Sequence, residues 1–224
     1  HFYSMVDALT MTQAWPEGYN YWINSRAFYV VLALSGYLNG TEKNSWHEKV
    51  YKLVDKIGHW HIQATRPDWQ IEPLGDEGPR LDLKDESRRV IDIIAQVTKK
   101  QVFVDYSNKL AKLHGKESYY PDYRWGWSLF YPMKQESIVV NDSLPLMEIF
   151  GESYYGQVYI RENWQNSATF MTYRAGNSFA HHGHYDNGHV SLFKGAPLLV
   201  NSSVPGQYFS DNRLNYGIRT IAKN

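Results

Sequence analysis

Residues 158–194 read VYIRENWQNSATFMTYRAGNSFAHHGHYDNGHVSLFK, and their period of two separates the second half of the chain from the first. Val158 and Ile160, then Phe170, Thr172 and Arg174, then Val190, Leu192 and Lys194 recur at alternate positions. Side chains alternate in this way along an extended strand. Gly151, Gly156, Gly176, Asn187-Gly188, Gly195 and Gly206 punctuate the segments. The pattern predicts short strands joined by turns, in an antiparallel sheet or sandwich beginning near residue 137.

Upstream the spacing is helical. Phe2, Met5, Val6 and Leu9 define one apolar face, and Pro16 and Gly18 then interrupt it. Asn24 or Ser25 can cap a helix that runs through Phe28, Val31, Leu32 and Leu34 to a stop at Asn39-Gly40. A third helix sets Trp46, Val50, Leu53, Val54 and Ile57 against Glu48, Lys49, Lys52 and Asp55. Pro67, Pro73, Gly75, Gly78 and Pro79 mark a long loop. Two more helices follow, one from Asp85 through Val90, Ile91, Ile94 and Val97, one over Tyr106 to Leu113. The expected fold class is therefore α+β and multidomain. An array of helical hairpins over 1–136 precedes an antiparallel β portion over 137–224. The closing Arg219-Thr220-Ile221-Ala222 reads as a strand entered and not left, so a C-terminally truncated piece of a longer protein is expected.

Composition narrows the functional classes. With 224 residues, 43% hydrophobic content and no long charge run, the chain has material for packed cores rather than disorder. Its formal net charge of zero argues against a general trap for nucleic acid. The longest apolar run, Ala27 to Leu34, is too short to span a bilayer. The absence of cysteine removes disulfides, thiolate metal sites and thiol nucleophiles. Eighteen Tyr and eight Trp supply faces that stack on sugar rings and hydroxyls that carry protons. That excess leans towards carbohydrate.

The densest chemical signal is His181-His182-Gly183-His184-Tyr185-Asp186-Asn187-Gly188-His189, with four of the nine histidines in nine residues. On an extended backbone His182, His184 and Asp186 project from one face, where they can bind a metal or manage protons. His47, His59 and His61 lie near helix ends, where surface or capping roles are expected, and His1 heads the first helix.

Arg174-Ala175-Gly176, followed by the run from His182 through Asn201-Ser202-Ser203, resembles the heparinase II/III-like polysaccharide lyases. Trp15-Pro16-Glu17-Gly18-Tyr19-Asn20-Tyr21-Trp22 is similar to that family's acidic-aromatic motif, and Pro73-Leu74-Gly75-Asp76 to another recurring element. The resemblance implies a partial (α/α) toroid followed by an antiparallel β-sandwich. It also implies β-elimination on a uronic-acid polymer, glycosaminoglycan-like or alginate-like, in a secreted or periplasmic setting. A lyase must neutralise the uronate carboxylate, remove the neighbouring carbon-bound proton and protonate the leaving oxygen. By resemblance, His182 transfers a proton or neutralises charge. Glu17, Tyr19 and Tyr21, with Asn20 and Trp22, line the toroid side of the cleft. Arg174 meets substrate carboxylate or sulfate. His184 takes a metal-ligand position, with Asn201 as its partner, for one structural divalent ion, zinc or calcium.

The sequence also departs from the family. Asn201 stands where several members carry an acidic ligand, and Lys223 where a His is usual. The loop around Trp69 offers no Tyr for proton transfer, which leaves Tyr19, Tyr21 or the Tyr119 to Tyr131 segment for that role. Other functions stay open. A glycoside hydrolase would pair Glu17 with Asp76 or Asp186. A cupin-like metal enzyme would use the His-x-His, and a glycan-binding protein would keep the cleft without the chemistry.

Overall fold

The computed structural model describes residues 1–40, 42–72, 85–113, 143–152, 154–176 and 187–199. Its helices are α1 (Phe2–Thr12), α2 (Tyr19–Tyr21), α3 (Ala27–Gly40), α4 (Ser45–Gln63), α5 (Asp85–Thr98) and α6 (Gln101–Leu113). Its strands are β1 (Met147–Phe150), β2 (Tyr155–Arg161), β3 (Thr169–Gly176), β4 (Val190–Lys194) and β5 (Pro197–Leu199). By packing these residues fall into two compact units, one within 23–62 and 83–144, the other within 1–22, 63–82 and 145–224.

The first unit is built from α3, most of α4, α5 and α6. Asn44 starts α4, its side-chain oxygen accepting the Trp46 N–H at 2.9 Å. The α4 stripe read from the sequence is inside: Val50, Leu53, Val54 and Ile57 are all buried. They share their core with Val90, Ile91 and Ile94 of α5 and with Val102, Phe103 and Leu110 of α6. Gly58 lets α4 come close. A Cβ there would stand 2.7 Å from the Phe103 ring and 2.9 Å from Ile94. α6 begins at Gln101, a turn earlier than Tyr106, because Val102, Phe103, Tyr106 and Leu110 form one buried helical stripe.

Polar ties hold the same helices in register. The Tyr51 hydroxyl donates to the Thr98 carbonyl at 3.1 Å, and Lys100 reaches Asp55 at 2.8 Å. His61 corrects an expectation, since it is fully buried rather than superficial. Desolvation pushes its imidazole down to about 3, opposed by a hydrogen bond to the Ser87 backbone, so the ring is neutral at ordinary pH.

The second unit is organised around the sheet, an antiparallel meander in the order β1-β2-β3-β4-β5. Register is set by pairs such as Ile149↔Val158, Val158↔Tyr173 and Tyr173↔Val190. Alternation then gives the sheet two unlike faces. Phe150, Gln157, Tyr159, Arg161, Phe170, Thr172, Arg174, Ser191 and Phe193 are buried. Met147, Tyr173, Val190 and Leu199 are exposed, and Ile149, Val158, Ile160, Met171 and Leu192 half-buried. The period-two pattern therefore drew on both faces at once: Phe170, Thr172 and Arg174 point inward, Val158, Ile160 and Val190 outward.

Edge-to-face and stacked rings run across the inner face, Phe150 to Tyr159 at 5.9 Å and Tyr159 to Phe170 at 6.3 Å. α1 packs on β2. The segment after α4 joins this unit as a small closed loop, with a bridge between Thr65 and Ile71. Arg161 fastens the loop, donating to Gln63 Oε1 at 3.2 Å and to the Gln63 and Thr65 carbonyls at 3.0 Å each. Its guanidinium also lies 3.7 Å from the Trp164 ring centroid.

Candidate functional site

The acidic-aromatic motif forms one compact turn. Pro16 and Gly18 end the path from α1, and Gly18, at φ 96°, occupies a conformation that a side chain would strain. Its carbonyl accepts the Trp22 N–H at 3.1 Å, so Gly18 opens the helix expected to start at Asn24 or Ser25. Those two residues lie instead in a π-helical turn, Trp22–Arg26, that leads into α3. Such wide turns are frequent at functional sites. The Trp15 indole N–H donates to Glu17 Oε2 at 3.1 Å, and the Trp15 and Trp22 rings lie 5.9 Å apart. Tyr19 and Trp22 are 2% and 1% exposed, whereas Glu17, Asn20 and Tyr21 are half-buried. Glu17, Asn20 and Tyr21 thus keep part of their polar side chains accessible on this turn.

Arg174 sits on the inner face of β3 and is 3% exposed. Its backbone is tied to the turn that follows the histidine-rich stretch. The Arg174 N–H donates to the His189 carbonyl at 3.0 Å, and the Gly188 N–H donates to the Arg174 carbonyl at 2.8 Å. His182, His184, Asn201, Asp76, Asp186, Tyr185, Lys223 and the Tyr119 to Tyr131 segment lie outside the described residues. His1 is described and exposed, its carbonyl accepting the Met5 N–H at 3.0 Å. Among the described residues no group of three His, Cys, Asp or Glu side chains is placed to hold a metal ion. No described helix is long and apolar enough to cross a membrane.

Sequence reading missed Glu72. It is 4% exposed and hydrogen-bonds the Ser191 side chain on β4, within the electrostatic reach of Arg66, Asp68 and Arg174. Burial pushes its carboxyl up to about 7. The Ser191 hydrogen bond and the Arg66 and Arg174 charges pull the other way, while Asp68 adds to the rise. Arg66 forks onto Asp68 at 3.1 and 2.8 Å and lies over the Phe193 ring at 5.3 Å. Ser191 in turn bonds the Thr172 hydroxyl. Glu72 lies in a Pro- and Gly-rich region that reads as solvent-facing loop, so its burial is a tertiary effect. The one local hint is Ile71 beside it.

No family model matches the chain, and no curated protein does. Solved structures do match. Over 99% of its length the chain resembles a mutant of the heparan sulfate lyase HepC from Pedobacter heparinus, at 14% identity and a TM-score of 0.55. It resembles a heparinase III gene product over 99% of its length as well, at 14% identity and a TM-score of 0.53. The chain spans 30% of the length of each. At this level of identity the likeness is one of fold: a helical region and an antiparallel sheet, as in a part of those two lyases.

Proposed function

We propose that the chain is the cleft-forming part of a heparinase II/III-like polysaccharide lyase that cleaves a uronic-acid polymer by β-elimination. The observation that carries this reading is the fold likeness to two lyases over 99% of the chain, alongside the motifs that resemble the same family. Within it, 1–136 is the toroid portion and 137–224 the sandwich portion. The described helices all precede the described strands of the sheet in sequence, which supports the order of the two portions. A sandwich is supported by the sheet itself, whose outer face is a field of apolar side chains of the kind a second sheet covers. A secreted or periplasmic location belongs to the same proposal.

The chemistry assigns work to this chain's own residues. Asn20 and the Glu17 turn orient the acidic sugar, and Arg174, buried on the inner face of β3, acts through the field of its charge rather than by contact. His182 takes part in carboxylate neutralisation or proton transfer. Tyr19 or Tyr21 exchanges the second proton. Of the two, Tyr21 has the greater accessible surface. The metal proposed at His184 and Asn201 would have one imidazole and one neutral carboxamide from this pair. Tetrahedral zinc needs four ligands, so further donors must complete the set.

A panel of uronate polymers, scored for ultraviolet absorbance of the unsaturated product, tests the reading. Product from the protein and none from His182→Ala is the expected result. New reducing ends without unsaturation would assign a hydrolase, and retention of polymer without turnover a glycan-binding protein. Either overturns the lyase reading.

A further inference from the structure

We propose that Trp69 and Trp164 form a sugar-stacking platform, a glycan-binding site separate from the residues assigned to the lyase chemistry. The inference goes beyond the lyase reading and does not rest on it. Both residues belong to the unit organised around the sheet. Trp69 stands at the tip of the loop closed by the Thr65–Ile71 bridge, and Trp164 in the connection between β2 and β3. The two tips meet. The Trp69 indole N–H donates to Asn166 Oδ1 at 3.2 Å, two residues beyond Trp164. Arg161 ties the same segments at their base, bonding the Gln63 and Thr65 carbonyls while its guanidinium lies over the Trp164 ring. Each indole is thus held by a partner from the facing segment or its own strand, and each residue is half-buried.

The turn does not need a tryptophan. Trp69 has φ 60°, a left-handed conformation that bulky residues rarely adopt and glycine takes without strain. Backbone hydrogen bonds already close the turn, from the Arg66 N–H to the Gln70 carbonyl at 2.7 Å and from the Trp69 N–H to the Arg66 carbonyl at 3.0 Å. A large side chain kept in a strained, partly accessible place is the mark of a recognition residue. The surroundings give the ligand class. Gln165, Asn166 and Ser167 beside Trp164 are exposed, and amides and hydroxyls both donate and accept, as sugar hydroxyls require. The indole faces suit the C–H faces of pyranose rings. Charge at these tips is already matched, Arg66 forking onto Asp68 and Lys194 pairing with Glu162 at 2.8 Å. Nucleic acid, which draws its affinity from cations on phosphate, is therefore a poor fit. The ligand is a chain of pyranose rings, held by stacking and hydrogen bonds with no need of carboxylate or sulfate.

The test uses the whole protein and reads the indole N–H signals of Trp69 and Trp164 by nuclear magnetic resonance. The probes are uncharged hexasaccharides of β-linked glucose, xylose and mannose. None carries a uronate, so none is a substrate for β-elimination, and the outcome is separable from that of the lyase reading. At least one is expected to shift both signals, with a dissociation constant that changes less than about twofold between roughly 0.05 and 0.5 M salt. Trp69→Gly, which fits the left-handed turn, and Trp164→Ala should each weaken that binding about tenfold, read at the remaining indole. Asn166→Ala frees the Trp69 indole and should weaken it about threefold. Asn166 is exposed, so this variant covers the case in which a tryptophan variant does not fold. Signals unmoved by all three glycans, or affinity unchanged in the variants that fold, overturn the proposal. A shift given only by a sulfated heparin hexasaccharide and lost at high salt would mark an anion site instead. A shift given only by a proline-rich peptide would mark a protein contact, and either result overturns it too.

Discussion

The two compact units bury apolar and polar side chains in different proportion. The helical unit encloses mostly hydrocarbon, Val50, Leu53, Ile57, Ile91 and Phe103 among it, with Arg88, Asp92 and Ser107 as a small buried polar group and the fully buried His61 kept neutral. The inner face of the sheet encloses a polar layer, with Gln157, Arg161, Thr172, Arg174 and Ser191 set among rings and joined by Glu72 from the loop. Hydrocarbon packs in many ways at similar cost, so it gives stability with little demand on partner identity. A buried polar layer demands every partner, and each lost partner leaves another group stranded. The sheet unit is the one that carries Arg174, in the strand that leads into the histidine-rich stretch.

Acid should break this contrast on the helical side. His61 has a folded value of about 3 against the ordinary 6.5. Its contribution is therefore complete above pH 6.5 and is lost as pH falls through that window towards 3. The loss reaches roughly 5 kcal/mol as an upper bound, measurable by denaturant unfolding across pH. His61→Phe should flatten the dependence. A nearly equal loss is expected in the sheet unit from Arg161→Ala, about 4 kcal/mol, because the Gln63 and Thr65 carbonyls lose their donor in a buried place. Equilibrium denaturation at neutral pH reads it.

Glu72 should act in the opposite sense to His61. Its folded value is raised, from 4.5 to about 7, so its contribution is complete below pH 4.5 and is lost as pH rises through about 7. That loss is about 3 kcal/mol. Glu72→Gln, which cannot ionise, should show no such fall between those values. If both variants follow the same pH curve as the parent, the two units do not differ in the way described. Gly58→Ala sharpens the hydrocarbon side with a cost of about 2 kcal/mol, since the added methyl meets the Phe103 ring. Smallest of all is Lys194→Ala. The Lys194–Glu162 pair is half exposed on both sides, and thermal unfolding should not register its loss.

The helical unit was largely legible in the sequence for the reason that makes it robust. Val50, Leu53, Val54 and Ile57 recur at the spacing of one face, and no partner has to be known in order to read them. The sheet was legible as strands at 158–160, 170–174 and 190–194. Its shortest members, Met147–Phe150 and Pro197–Leu199, gave too few alternations to show. Which face turns inward was not legible, because the buried face carries Arg161, Thr172 and Arg174 while the outer face carries Val158, Ile160 and Met171. Hydrophobicity alone points the wrong way there. The Glu17 turn announced itself through a local density of rings and acid. Glu72 could not, since its partners Arg174 and Ser191 come from distant strands.

The wide turn at Trp22–Arg26 has a consequence for tolerance to changes in chain length. An α-helix advances about 100° per residue, so deleting one residue within α3 would swing Val30, Val31 and Leu34 away from their neighbours. A π turn already holds one residue more than the α geometry requires. Removing one of residues 24–26, which are not buried, would relax that turn and keep the helical phase of α3. The chain can therefore shorten there without changing which side of α3 is buried, a slack in the helix that the residues beyond Arg26 lack.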